Sequence, residues 1–190
     1  MGCKFLGFLL LLACSSLAAA QVLPKANVFV GYSFQNADIN SNGSSRADLN
    51  GWEASLEGKF LPFIGLVLDF SGHYGPADIT NPSLCPVPVC LPPLHLHDSE
   101  HNFVLGPRVS VGLGHFRPFA HALFGGAHVK IDGTGFSTTD TSFATALGGG
   151  LDYRIAGPLE WRFQGDYLQT RFFSSKQNNY RLSTGIVLAF

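Results

Sequence analysis

The stretch Asn179-Tyr180-Arg181-Leu182-Ser183-Thr184-Gly185-Ile186-Val187-Leu188-Ala189-Phe190 decides how the rest of the chain is read. Tyr180, Leu182, Thr184, Ile186, Leu188 and Phe190 form one row of an extended strand; Arg181, Ser183, Gly185, Val187 and Ala189 form the other. The first row is apolar and aromatic, and the second is small or polar. Free termini are normally solvated, so a strand running apolar to a final Phe190 suits a barrel wall facing lipid. An ordinary edge strand of a soluble sandwich has the same period. The other stretches have to separate the two.

Composition points the same way as the last strand. At 190 residues and 46% hydrophobic content, the chain is long enough for one domain with a sizeable core. Charged residues are 13% of the total, about half the share of a soluble domain. The formal net charge is −1 and no basic run occurs, which excludes nucleic acid as a partner class. Scarce charge with abundant Gly and Phe fits an exterior in contact with lipid.

At the start of the chain, Lys4 precedes an apolar run from Phe5 to Ala13, followed by Ala18-Ala19-Ala20. This order predicts a secretory signal peptide over residues 1–20, cleaved before Gln21, and a domain over residues 21–190. A second reading takes Leu11-Leu12-Ala13-Cys14 as a lipobox, with lipid on Cys14. In the exported part only Cys85 and Cys90 remain, a close pair read as a disulfide closing a Pro-rich loop. No apolar segment of the ~20 residues that a spanning helix needs follows the signal, so any crossing must be made by strands.

Seven further stretches alternate like the last one: Lys25–Gln35, Gly51–Phe60, Ile64–Tyr74, His101–Val111, Pro118–Lys130, Ser142–Arg154 and Leu159–Phe172. Polar segments over 36–50, 75–100 and 131–141 read as long loops, and 61–63, 112–117 and 155–158 as short turns. Long and short connections therefore alternate. Strands of this length rise ~3.3 Å per residue and, when tilted, cross roughly 25 Å of apolar band. Pro107 lacks a ladder donor, so a bulge or local gap is expected there. Phe119 and Leu123 disturb the pattern of their strand by falling on its polar side.

The strand charges fix which face is inside. Glu53, Glu57, Lys59, Asp69, Arg108, Asp152, Arg154, Glu160, Arg162, Asp166 and Arg181 all lie on the row opposite the apolar one. A soluble barrel of the lipocalin kind would bury the apolar row, whereas a membrane barrel turns it outward and keeps polar groups in the lumen. The signal, the scarce charge and the terminal Phe favour the second. Aromatics gather at both ends of the apolar row: Trp52, Tyr74, Phe103 and Tyr180 at one, Phe60, Tyr153, Trp161 and Phe190 at the other. Such rings suit the two membrane interfaces. The fold class is all-β: an eight-stranded antiparallel up-and-down transmembrane β-barrel.

Gly51-Trp52, Asp69-Phe70-Ser71-Gly72-His73-Tyr74-Gly75, Gly106-Pro107-Arg108, Pro118-Phe119, Gly148-Gly149-Gly150-Leu151-Asp152-Tyr153 and Arg181-Leu182-Ser183-Thr184-Gly185 follow one another in an order similar to OmpA-like outer-membrane β-barrel domain proteins of Gram-negative bacteria. The resemblance covers essentially the whole exported part. It implies residence in the outer membrane, and contact with the barrel-assembly machinery during insertion. Thr184, Gly185, Leu188 and Phe190 resemble that family's terminal assembly signal. The sequence stops at the barrel, so the family's periplasmic peptidoglycan-binding domain, and tethering to the cell wall, do not carry over.

The row of charges predicts a mutually paired cluster that plugs the lumen, since eight strands leave an interior just wide enough for side chains. Exchange of ion-pair partners would turn the same cluster into a gate. His95, His97 and His101, with His73 nearby, are candidate ligands for a zinc- or copper-class metal. His97-x-Ser99 is similar to the His-x-Ser pair of lipid A deacylases, but position 111, where an acid would follow, is Val, so no catalytic residue is assigned. Gly148 to Gly150 sit in a strand and not in a phosphate loop, so no cofactor is implied. The expected role is structural or surface recognition by a monomer embedded in outer-membrane lipid, its surface ligand unknown. A narrow channel for ions or small solutes and a lipid A-modifying hydrolase are the alternatives.

Overall fold

A computed structural model describes residues 25–38, 46–79, 94–133, 136–172 and 175–190. The expected signal peptide, Cys14, Cys85 and Cys90 lie outside them. The strands are β1 Ala26–Asp38, β2 Arg46–Lys59, β3 Ile64–Ile79, β4 Leu94–Ser110, β5 Phe116–Gly133, β6 Phe136–Ala156, β7 Leu159–Thr170 and β8 Gln177–Ala189. Each pairs antiparallel with its neighbours in the chain, and β8 returns to β1 to close a barrel. A closed cylinder leaves no strand edge unpaired, which is what a sheet inside a bilayer requires.

The alternation places side chains as the charges require. Val28, Val30 and Tyr32 on β1, Leu66 and Phe70 on β3, Leu182, Ile186 and Leu188 on β8 are all exposed, while Glu53, Asp69, Arg108, Arg162 and Arg181 are buried. The chain is inside-out relative to a soluble barrel. The aromatics at both strand ends also point outward, from Trp52, Tyr74, Phe103 and Tyr180 to Phe60, Tyr153, Trp161 and Phe190.

One end of the cylinder has tight turns. Gly114 (φ 67) and Gly157 (φ 53) stand in two of them, in a conformation where a Cβ would be strained. At the other end the strands run further than the polar composition predicts. Segments 36–50, 75–100 and 131–141 read as loops, yet β1–β2 pairing continues to Asp38↔Arg46, β3–β4 to Ile79↔Leu94 and β5–β6 to Gly133↔Phe136. A Ser- and Thr-rich segment pairs once a partner strand satisfies its backbone groups. In the first hairpin the inward residues Ala37, Ala47 and Leu49 also cluster together.

Pro107 produces a gap without a bulge. The β4–β5 register passes from Leu105↔Phe124 to Arg108↔His121 with Gly106 and Pro107 unpaired on that side. Towards β3, Leu66↔Pro107 is in place. The missing N–H therefore costs one local break on the β5 side and leaves the register intact.

The closing seam depends on two glycines. Gly31 and Gly185 are register partners of β1 and β8. A Cβ on Gly185 would overlap Val30 O and Gly31 Cα, and one on Gly31 would overlap Thr184 O. These are backbone contacts, which cannot rotate away. Gly185→Val is therefore expected to leave most of the protein unable to close when it refolds from urea into detergent micelles. Semi-native gel migration measures this. No assembly machinery is present in that assay, so normal refolding would reduce Gly185 to a recognition residue.

Candidate functional site

The lumen is organised around Arg181. Its Nη1 donates to Asp69 Oδ1 (2.9 Å) and Ser71 Oγ (3.1 Å), and its Nη2 donates to Asp166 Oδ2 (2.6 Å). Glu53 Oε2 lies 3.5 Å from its Nε. These three carboxylates come from β2, β3 and β7, so one guanidinium ties together strands far apart in sequence. Five fixed donors suit Arg to this task. Gln164 Nε2 donates to both Glu53 Oε1 (2.7 Å) and Asp166 Oδ2 (2.9 Å). His121 Nε2–H donates to Asp166 Oδ1 (2.8 Å), and Arg108 donates to His121 Nδ1 (3.3 Å) and to Glu57 Oε2 (3.3 Å). Asn27 Nδ2 donates to the same Glu57 oxygen (2.9 Å). The network runs unbroken from Arg181 to Asn27.

A second group lies nearer the short turns. Arg162 grips Asp152 with two hydrogen bonds (2.7 and 2.9 Å), and Arg117 grips Glu160 likewise (2.9 and 3.1 Å). Bidentate pairs of this kind are among the stronger charged contacts. Phe119, which broke the alternation of its strand, lies between two of the arginines: Arg108 stacks 4.2 Å and Arg162 4.7 Å from its ring centroid. Arg162 also covers Phe29 at 5.0 Å. The aromatic faces separate two like charges and attract both. A Cβ on Gly150 would lie 2.8 Å from Phe119 Cζ, and one on Gly148 would meet Asp166 Oδ1 at 2.0 Å. The glycines of β6 thus make room for large lumen groups.

Towards the long hairpins the lumen turns apolar. Val67, Val104, Leu123, Ala127, Val129, Ala144, Ala146, Leu168 and Phe172 form a buried cluster, with Ile131 packed against it. Charge patterning could not signal this layer, because its residues sit on the polar row without being polar. The inner position of Leu123 was a trace of it in the sequence.

Nine of the eleven predicted lumen charges are buried in the interior; the other two are corrected. Lys59 is half-buried and Arg154 exposed, both at the short-turn rim. Arg154 still pairs in register with Glu160, and the register shift follows it, so its exposure comes from standing on the inward row at the open rim. It reaches Glu160 only at 3.7 Å. Arg117, read as part of a turn, takes the buried place beside Glu160 instead. Gln35, Gln164, Glu100 and His121 are further interior polar groups that a count of strand charges passes over.

His95, His97 and His101, the candidate metal ligands, stand along one strand, and the side chain of His95 lies outside the described residues. Segment 94–101 is part of β4 and not a folding loop. Residues two and four apart on a strand are spread along it at ~3.3 Å each, so one ion cannot gather all three. His97 and His101 face outward, whereas His73 is buried in the lumen with Nε2 2.8 Å from Ser33 Oγ. No group of three His, Cys, Asp or Glu residues converges among the described residues. Of the terminal signal residues, Thr184 Oγ1 accepts from Trp161 Nε1 (2.8 Å), and Leu188 and Phe190 are exposed on the outer row.

An apolar exterior bounded by aromatics around an ionic interior defines a transmembrane β-barrel. Residues 6–190 match the family model of the outer membrane protein beta-barrel domain, and the chain belongs to that family. Its fold is similar to that of Neisserial surface protein A (TM-score 0.65, 11% identity, covering 87% of this chain and 97% of that one). It is also similar to Ail, the attachment invasion locus protein of Yersinia pestis (TM-score 0.56, 13% identity, 87% and 99% covered). OprG of Pseudomonas aeruginosa is a third (TM-score 0.57, 11% identity, 88% and 96% covered). No curated protein is significantly similar to the chain.

Proposed function

We propose that this outer-membrane barrel acts through the surface of its long hairpins, as a recognition or wall element, and that its lumen is plugged. The observation that carries the reading is the filling of the lumen. Arg181 binds three carboxylates at mid-barrel, and an apolar cluster closes the hairpin side. An ion crossing the cylinder would have to separate buried pairs, which is costly. The hairpins extend outward-facing polar residues such as Arg46, His97, His128, Lys130 and Thr139 beyond the aromatic ring. Two of the similar folds are named for roles at the cell surface, Neisserial surface protein A and the attachment invasion locus protein. On this reading residues 1–20 export the chain, membrane lipid covers the outer row and the barrel is a monomer.

Planar-bilayer recording tests it against the channel alternative. The purified barrel is expected to give no reproducible unitary openings. Reproducible discrete conductance, raised further by Arg181→Met, would replace the plugged reading with transport.

A further inference from the structure

Above the Arg181 network, at the hairpin mouth of the lumen, a second set of acidic groups has no cation within ion-pair distance among the described residues. Among the described residues, Glu53, Glu57, Asp69, Asp152, Glu160 and Asp166 each lie within ion-pair distance of an arginine. Glu100 does not, although only 3% of its surface is exposed. It receives two neutral donors: Gln35 Nε2 to Oε2 at 2.8 Å and Asn102 Nδ2 to Oε1 at 3.0 Å. Asp98, two residues earlier on the inward row of β4, has no ion pair either, and its Oδ1 is buried without a partner. A buried carboxylate without compensation is costly.

The amides supply the second half of the observation. Gln35 is fully buried and Asn102 nearly so. Each uses its nitrogen on Glu100, and the oxygens Gln35 Oε1 and Asn102 Oδ1 are buried with no partner. Glu100 and two amides with unpartnered oxygens are thus in direct contact, and Asp98 stands two residues along the same inward row. Unpartnered acceptors there, charged and neutral, outnumber the one unpartnered ring nitrogen, His73 Nδ1, among the described residues.

We propose that Asp98, Glu100, Gln35 and Asn102 form a binding site for a hard divalent cation of the calcium or magnesium class. An all-oxygen donor set selects such ions over zinc or copper. Two carboxylates match a charge of two, which a monovalent ion would leave half compensated. Amide oxygens and water complete the shell, in keeping with the absence of three converging His, Cys, Asp or Glu groups among the described residues. Asp98 is half-buried and Glu100 lies deeper, so the ion enters from the hairpin end. His73, the register partner of Glu100, and Arg181 below are the other titratable and charged groups facing the site. Seated there, the ion would link β1 to β4 where the hairpins leave the cylinder. This goes beyond the plugged-barrel reading and does not depend on it.

The test uses the detergent-solubilised barrel, stripped with a chelator and checked for folding by its gel mobility. Calorimetric titration with calcium chloride and magnesium chloride is expected to show saturable uptake of a single ion, with a dissociation constant of about 10⁻⁴–10⁻³ M. Glu100→Gln and Asp98→Asn should each weaken it at least ~10-fold, while Asp132→Asn, on the exposed hairpin beside Lys130, should not. Should Glu100→Gln fail to fold, Asp98→Asn at its half-buried position decides. Absence of saturable binding by the folded wild type would overturn the proposal and assign the charge of Glu100 to a proton. Binding that survives both variants, or sodium chloride binding as tightly, would overturn it too.

Discussion

Arg181→Met is expected to destabilise the folded barrel by about 3–5 kcal/mol, more than any other single lumen substitution. Met keeps much of the side-chain bulk, so the loss is not mainly one of packing. What remains after the change is a buried cluster of Glu53, Asp69 and Asp166 with their common cation gone. His121 and Gln164 still hold Asp166 and Glu53, but Asp69 loses its arginine outright. Urea titration followed by tryptophan fluorescence, in vesicles that allow reversible folding, measures the change. Adding Asp69→Asn to Arg181→Met should recover part of the loss, because it removes one of the stranded charges. The double variant then costs less than the sum of the singles, the sign of a direct coupling. A loss for Arg181→Met within ~0.5 kcal/mol, the usual effect of an uninvolved surface site, would mean that the network is not a structural plug.

How far the sequence leads is clear from Arg181 itself. Its row, its burial and its membership in a charged interior follow from alternation in β8 and from the opposed apolar row. Its partners do not. Asp69 and Asp166 reach it from strands 112 and 15 residues away, and which inward residues meet across a lumen depends on the stagger of the closed sheet. Alternation carries no information on stagger. Arg154 and Arg117 show a related limit: parity put the first on the inward row, where it is paired with Glu160, but parity does not say where the cylinder opens to solvent. The hairpin arms were illegible for another reason. Ser, Thr, Asn and Asp signal turns locally, and only a paired neighbour makes them strand. The apolar layer around Leu123 and Val104 was hidden because a two-letter reading of the inner row expects polarity there.

The largest effect on the outer face is expected at Leu56, because that residue separates the two meanings of the same alternation. Leu56 is 47% exposed and stands on the outward row of β2 midway between Trp52 and Phe60. Its register partners Val28 and Leu68 are apolar too. In water an exposed Leu→Arg change would alter stability by no more than ~0.5 kcal/mol. At the middle of a lipid-facing band, it should cost roughly 2–4 kcal/mol, since the guanidinium has no water to solvate it. Asp48→Arg is the matched control: the residue lies on the same outward row but beyond Trp52, in the hairpin, and its replacement should cost little. The comparison is made by urea titration of both variants in phospholipid vesicles. Equal, small effects at positions 48 and 56 would place the apolar row against something other than hydrocarbon. A gradient from position 48 to position 56 would instead map the bilayer onto the barrel, with Trp52 at its upper boundary.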